Sequence, residues 1–291
     1  MFMKKWFRLI VIIALFSLAI VSITGYASDI QSTKVGDIRM EYMMVGEGYP
    51  LVMIMGFRGT MDIWDQNVLN ILSSHYRLII FNNRGMGETE AGIRQFTIEQ
   101  FADDTAGLME ALGIERAHVL GYSMGTEVAQ ELVLRHPRKV NKLILYAADC
   151  GGYYFPTPPE VEKKLYDTSG TNEERGKRLI GLLFPEGWLA VHLDYVKDIF
   201  SRSRQIAHPE NVKQQADAMN NWKGCYDRLH QIKSPTLLVT GTEDILTLPG
   251  YSYMMVDKIL GAKLVKMENG GHGVMYQFPE SFSEAVIDFL R

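Results

Sequence analysis

Gly121-Tyr122-Ser123-Met124-Gly125 decides how this chain reads. The five residues lie between an apolar stretch of strand length, residues 117–121, and a helix predicted over 124–135 that stops at His136-Pro137. A sharp strand-to-helix turn holds its central residue in strained backbone geometry. Glycine two residues to either side removes the side chains that would collide with neighbouring backbone. The turn lifts the Ser123 hydroxyl above the sheet edge, and the helix N-terminus beneath it favours developing negative charge. Ser123 is therefore a candidate nucleophile.

Outward from this turn, strands and helices alternate. Residues 37–45 alternate as a strand with one solvated face, and Gly46-Glu47-Gly48 turns it. Residues 51–55 and 77–81 are short continuous apolar runs, as expected of strands buried on both faces. Helical spacing covers 64–73 and 98–112, the latter ending at Gly113, and a strand is predicted over 142–146. After a poorly patterned stretch at 150–230 the alternation resumes, with strand 236–240, a helix near 252–259, strand 263–267 and a closing helix 279–290. Such alternation implies an α/β fold with a mostly parallel sheet covered on both faces. Because the pattern continues unchanged afterwards, 150–230 reads as an insertion.

A nucleophilic serine needs a base, and the base needs an acid to orient it. Of seven histidines, His272 stands in Asn269-Gly-Gly-His272-Gly273, a loop after the last predicted strand, where flanking glycines let the backbone aim an imidazole back at the serine. Asp244 follows strand 236–240 directly and is the expected acid; Glu243 beside it points elsewhere. Asp149, after strand 142–146, is the second candidate, because that strand end faces the same edge. The chain order Ser123, Asp244, His272 is nucleophile, acid, base.

These segments resemble the α/β-hydrolase superfamily, from about residue 37 to 291. Met55-Gly56-Phe57-Arg58-Gly59 falls where members carry His-Gly and then an oxyanion-hole residue, and Phe81-Asn82-Asn83-Arg84-Gly85-Met86-Gly87-Glu88-Thr89 resembles the Asp-x-Arg-Gly-x-Gly-x-Ser loop. Met55 stands in place of the usual histidine and Asn82 in place of the usual aspartate. The resemblance implies an eight-stranded-type sheet, a helical cap at about 150–230, and an oxyanion hole built from the Phe57 and Met124 N–H groups. It also implies a cofactor-independent serine hydrolase, with no metal. A carboxylesterase acting on a small, largely apolar ester is the expected activity. Lactonase, thioesterase, carbon–carbon hydrolase and perhydrolase use the same three residues, and some relatives are small-molecule receptors on the same fold. A serine at position 123 argues against epoxide hydrolase and haloalkane dehalogenase, which use aspartate there.

The insertion is rich in aromatic residues (Tyr153, Tyr154, Phe155, Phe184, Trp188, Tyr195, Phe200 and Trp222). They read either as walls of an apolar pocket or as the cap's own packing. Cys150 and Cys225 bracket it, and in an oxidising compartment a disulfide between them would tie it down.

Composition narrows the alternatives. The 291 residues are 47% hydrophobic and 22% charged, with 30 Lys+Arg against 34 Asp+Glu and two cysteines. That is too apolar for a disordered chain, too balanced for a nucleic-acid binder, and too poor in cysteine for a disulfide scaffold or a four-thiolate zinc site. No H-E-x-x-H, C-x-x-C, P-loop or G-x-G-x-x-G motif is present. The apolar excess is concentrated at the start. Lys4, Lys5 and Arg8 precede an apolar run from Leu9 to Ile23, and Gly25-Tyr26-Ala27 supplies small residues for cleavage. Residues 1–27 thus read as a signal peptide, or as an uncleaved membrane anchor, since residues 6–27 are long enough to span a bilayer. No cysteine follows, which argues against a lipoprotein. Either reading places the hydrolase-like part, 28–291, outside the cytoplasm.

Overall fold

The computed structural model describes residues 30–152, 154–167, 169–201 and 208–291. The leader or anchor read at 1–27 lies outside these, as does Tyr153. No helix among the described residues is long and apolar enough to cross a membrane.

The continuous apolar runs are strands covered on both sides. In β3 (Pro50–Ile54) every residue is buried, with Val52 and Ile54 turned into one core and Leu51 and Met53 into the other. That alternation follows from the two-residue side-chain period of a strand. The other strands are β1 (Gln31–Val35), β2 (Ile38–Val45), β4 (Arg77–Phe81), β5 (Ala117–Tyr122), β6 (Val140–Tyr146), β7 (Thr236–Gly241) and β8 (Lys263–Met267). They form one eight-stranded sheet in the order β1-β2-β4-β3-β5-β6-β7-β8. Pairing is antiparallel at β1–β2 and β2–β4 and parallel from β4 to β8.

Helices α2 (Ile98–Ala111), α3 (Met124–Arg135) and α8 (Gly250–Lys258) cover one face, through side chains such as Phe101, Leu132 and Met255. Helices α1 (Gln66–Ser73) and α10 (Pro279–Leu290) cover the other, with Leu69, Leu72, Phe282 and Val286. Asp65 starts α1 by accepting from the Asn67 and Val68 N–H groups, and Thr97 starts α2 by accepting from Gln100 N–H. Each satisfies donors a helix start leaves free.

The chain enters β3, steps outward to β4, then crosses back to place β5 on the opposite side of β3. The crevice at the carboxyl ends of β3 and β5 is the switch point at which open α/β sheets bind ligands. Between β6 and β7 the described residues form four inserted α-helices: α4 (Pro159–Tyr166), α5 (Asn172–Leu183), α6 (Glu186–Ser201) and α7 (Pro209–Asn221). Cys150 and Cys225, where the insertion leaves and rejoins the sheet, are free buried thiols and not a disulfide. Their backbones meet, Cys225 N–H donating to the Cys150 carbonyl at 2.8 Å, and the Cys225 thiol is directed at Gln130 Oε1.

Arg84 pins the loop after β4. It is wholly buried, and its N–H groups reach Asp104 twice at 2.7 Å, Asp37 at 2.8 and 3.0 Å, and the Ala91 carbonyl at 2.9 Å. All five guanidinium donors are used, the condition under which a buried arginine is tolerated. The guanidinium holds the Asp37 carboxyl far below the usual carboxylate range. The folded state therefore binds fewer protons there than the unfolded chain. This contribution is intact above roughly pH 4 and is lost as pH falls towards the lowered folded value. Arg84→Ala takes the buried cation from both carboxylates, leaving Asp104 with the Gln100 amide and Asp37 with Arg94 and two backbone N–H groups, and should destabilise the protein by about 3–5 kcal/mol. Urea unfolding at pH 7 measures it; a loss within error of zero would contradict this role.

Candidate active site

Ser123 occupies the left-handed region, with φ 54° and ψ −124°, between the end of β5 and the first residue of α3. A non-glycine residue held there stores on the order of 1–3 kcal/mol. Close backbone packing holds it. A Cβ on Gly121 would stand 2.3 Å from the Gly125 carbonyl oxygen, and one on Gly125 would stand 2.2 Å from that of Ile54. Both glycines are therefore contact requirements of the turn. Ser123 N–H donates to the Tyr146 carbonyl at 3.0 Å, and the Thr126 N–H and hydroxyl both donate to the Ser123 carbonyl.

The loop after β3 lies directly against this turn, since a Cβ on Gly56 would come within 3.0 Å of Ser123 Cβ. Phe57 on that loop, Met124, Ser123 and His272 line one cavity of about 200 Å³. The structure thus gathers both residues expected to offer N–H groups around the serine.

His272 and Asp244 meet although 28 residues separate them. Asp244 Oδ2 stands 2.8 Å from His272 Nδ1, and both side chains are almost fully buried. The other carboxylate oxygen accepts from Leu246 and Thr247 N–H, each at 2.9 Å, so the carboxylate is held at both ends. A carboxylate can only accept, which puts the proton on Nδ1 and leaves Nε2 as the basic lone pair. The acid and base loops interlock: Glu243 N–H donates to Gly270 at 2.7 Å, and a Cβ on Gly241 would meet that same carbonyl. The second candidate acid, Asp149, lines the cavity instead and uses Oδ1 to accept from Gly151 N–H.

Several supporting residues had no sequence signal. Tyr146, at the end of β6, donates its hydroxyl to the His272 carbonyl and accepts from Met275 N–H, fixing the base loop to the sheet. Gln277 accepts from Gly271 N–H and donates to Asn269, closing that loop on itself. Glu127, one turn after Ser123, lines the cavity and was not expected at the site. The two departures from the family pattern are accommodated. Asn82 accepts from Met61 N–H and donates to Glu41, and the second of these is a bond an aspartate could not make. Met55 packs its side chain under Gly59, and its carbonyl accepts from Asn83.

The inserted helices are tied to the site loops. Gly273 N–H donates to Leu183 at 2.8 Å, Thr157 donates to the Leu246 carbonyl, and Arg58 N–H donates to Gln215 on α7. Of the aromatic residues singled out in the insertion, Phe200 lines the cavity, whereas Phe184 packs on Gly273 and Tyr276 and Trp222 donates to Glu131. Tyr166, not among them, is a cavity residue.

Comparison with known proteins agrees with this fold. The family model described as "alpha/beta hydrolase fold" matches residues 49–279. A protein of Azorhizobium caulinodans whose name provisionally assigns it carbamate hydrolysis is 25% identical over 259 residues, covering 87% of this chain and 96% of that protein. A 2-hydroxy-6-oxononadienedioate/2-hydroxy-6-oxononatrienedioate hydrolase of Pseudomonas putida is 27% identical over 264 residues, covering 88% and 92%. The structure of a thermophilic esterase from Thermogutta terrifontis superposes with a TM-score of 0.77 at 25% identity, covering 90% of this chain and 98% of that one.

Gly125→Ala forces a methyl group into the β3 carbonyls, an overpacking that costs about 1–3 kcal/mol or more. Thermal unfolding should show a lowered Tm, whereas an unchanged Tm would mean that the turn is looser than described.

Proposed function

Because this chain belongs to the alpha/beta hydrolase fold family, we propose that it is a cofactor-independent serine hydrolase of small carboxylic esters. One observation carries the reading: a strained serine at a helix N-terminus shares a cavity with a histidine whose far nitrogen is bonded to a buried carboxylate. Nothing in a plain structural turn calls for that arrangement.

Ser123 Oγ attacks the acyl carbon while His272 Nε2 takes its proton. The carbonyl π electrons move onto oxygen, and the oxyanion is held by the Phe57 N–H on the loop after β3 and the Met124 N–H at the start of α3. Asp244 keeps the imidazole in the required tautomer and stabilises the imidazolium. The tetrahedral species collapses, the ester C–O bond breaks, and the leaving oxygen takes the proton from His272. Water then enters, gives a proton to His272 and attacks the acyl-serine. Collapse of the second tetrahedral species releases the acid and restores the serine hydroxyl.

Esters are favoured as substrates because Met55, Ile63, Leu165, Leu179, Leu183 and Phe200 make much of the cavity wall apolar. Carbamates and lactones call on the same attack and the same oxyanion site, in keeping with the names of some relatives. A panel of 4-methylumbelliferyl esters of graded acyl length should give turnover that falls on the order of 10⁴–10⁶-fold in Ser123→Ala. Asp244→Asn should lose on the order of 10⁴-fold. Turnover of Ser123→Ala at the parental rate would sink the mechanism.

The leader reading of residues 1–27 assigns this activity to the outside of the cytoplasmic membrane. Fractionation of cells expressing the full chain should find the esterase outside the cytoplasm. Recovery of full-length, active enzyme from the cytosol alone would contradict that assignment.

A further inference from the structure

One end of the cavity wall has no part in the acyl-transfer steps. Glu127 lies on the first turn of α3, four residues after Ser123, and is only 3% exposed. Its side chain lines the cavity, and its Oε2 is buried with no hydrogen-bond partner among the described residues. An orphaned buried acceptor of this kind costs on the order of 1–3 kcal/mol, more when charged. A helix position meant only for packing would carry an apolar side chain.

Glu127 is not alone. Asp149 and Glu162 line the same cavity, and the ring of Tyr166 lies 6.1 Å from that of Phe57, both on the wall. Burial and the neighbouring Asp149 push the Glu127 carboxyl well above its ordinary range, and burial raises Asp149 as well. The Tyr166 hydroxyl is pushed up to about 12 by burial and by Glu162, Glu127 and Asp149. Among the described residues Arg58 is the only Lys or Arg lining the cavity, and its own charge is disfavoured by burial and by Arg175. Asp149 therefore adds to the cost of a charge on Glu127, while the His272 imidazole eases the charge on Asp149.

A cation carrying N–H donors would supply the Glu127 carboxyl with the counter-charge and hydrogen bond it lacks, beside the rings of Phe57 and Tyr166. A metal ion fits poorly: among the described residues no three His, Cys, Asp or Glu side chains converge to hold one. We propose that Glu127, supported by Asp149 and Glu162, is a specificity-determining residue that selects esters bearing a protonated amine. This deepens the ester-hydrolase reading and rests on it.

The test compares 4-methylumbelliferyl 6-aminohexanoate with the heptanoate, in which a methyl group replaces the ammonium. At pH 7 the parent should favour the amino ester in kcat/KM. Glu127→Gln should lower kcat/KM for the amino ester at least tenfold, chiefly through KM, while the heptanoate stays within threefold and so reports an intact fold. An equal fall for both esters, or an unchanged ratio, overturns the proposal. It also overturns it if the amide supports the amino ester fully, since a neutral hydrogen bond would then be enough. Calorimetry reads the pocket without turnover. n-Hexylammonium should bind Ser123→Ala more tightly than n-hexanol does, and that preference should vanish in the Ser123→Ala, Glu127→Gln double variant. Glu127-dependent ammonium binding in a protein that hydrolyses no ester would overturn the hydrolase reading alone; equal binding of the two probes would overturn this one.

Discussion

The contact between Gly125 and the carbonyl oxygen of Ile54, too close for any side chain, is what the site depends on. It brings the start of α3 against the end of β3, while Gly121 brings the end of β5 against the same turn. Ser123 is left no conformation but a strained one. The loop bearing Phe57 lies close against the serine as well, since a Cβ on Gly56 would stand 3.0 Å from Ser123 Cβ and from the Tyr122 carbonyl oxygen. Three close contacts at glycines thus place Ser123, the start of α3 and the Phe57 loop together.

Around that core the remaining parts are fixed from separate strand ends. β6 contributes the Tyr146 hydroxyl to the base loop and its backbone carbonyl to Ser123. β7 delivers Asp244, and β8 leads into the loop that carries His272. The inserted helices are bonded to the acid loop through Thr157 and to the base loop through Leu183. The floor of the cavity is therefore rigid sheet, and its roof is helical and varied in chemistry.

The sequence made the sheet legible wherever strands are buried on both faces, because continuous apolar runs such as 51–55 and 77–81 mark them as strands. β1 escaped notice for the opposite reason: Gln31–Val35 is an edge strand, largely exposed, held by backbone pairing to β2 and not by an apolar pattern. The helices of the insertion were visible as a group but not individually, since most of their residues stay partly exposed and carry weak periodicity. Ser123, Asp244 and His272 could be picked out because each follows a recognisable strand in an order that suits the topology. Glu127 could not, because an acid on a helix reads as a solvated face until the packing shows it turned inward. The Arg84 cluster was hidden too, as its partners Asp37 and Asp104 are 47 and 20 residues away.

The account stands on Ser123 being chemically activated by its setting. The most direct measurement is peptide mass spectrometry of the protein after treatment with a fluorophosphonate. A single adduct per chain, mapped to Ser123 and strongly reduced in His272→Ala, is the predicted result. An unmodified Ser123, or an adduct formed just as fast without His272, would contradict the account.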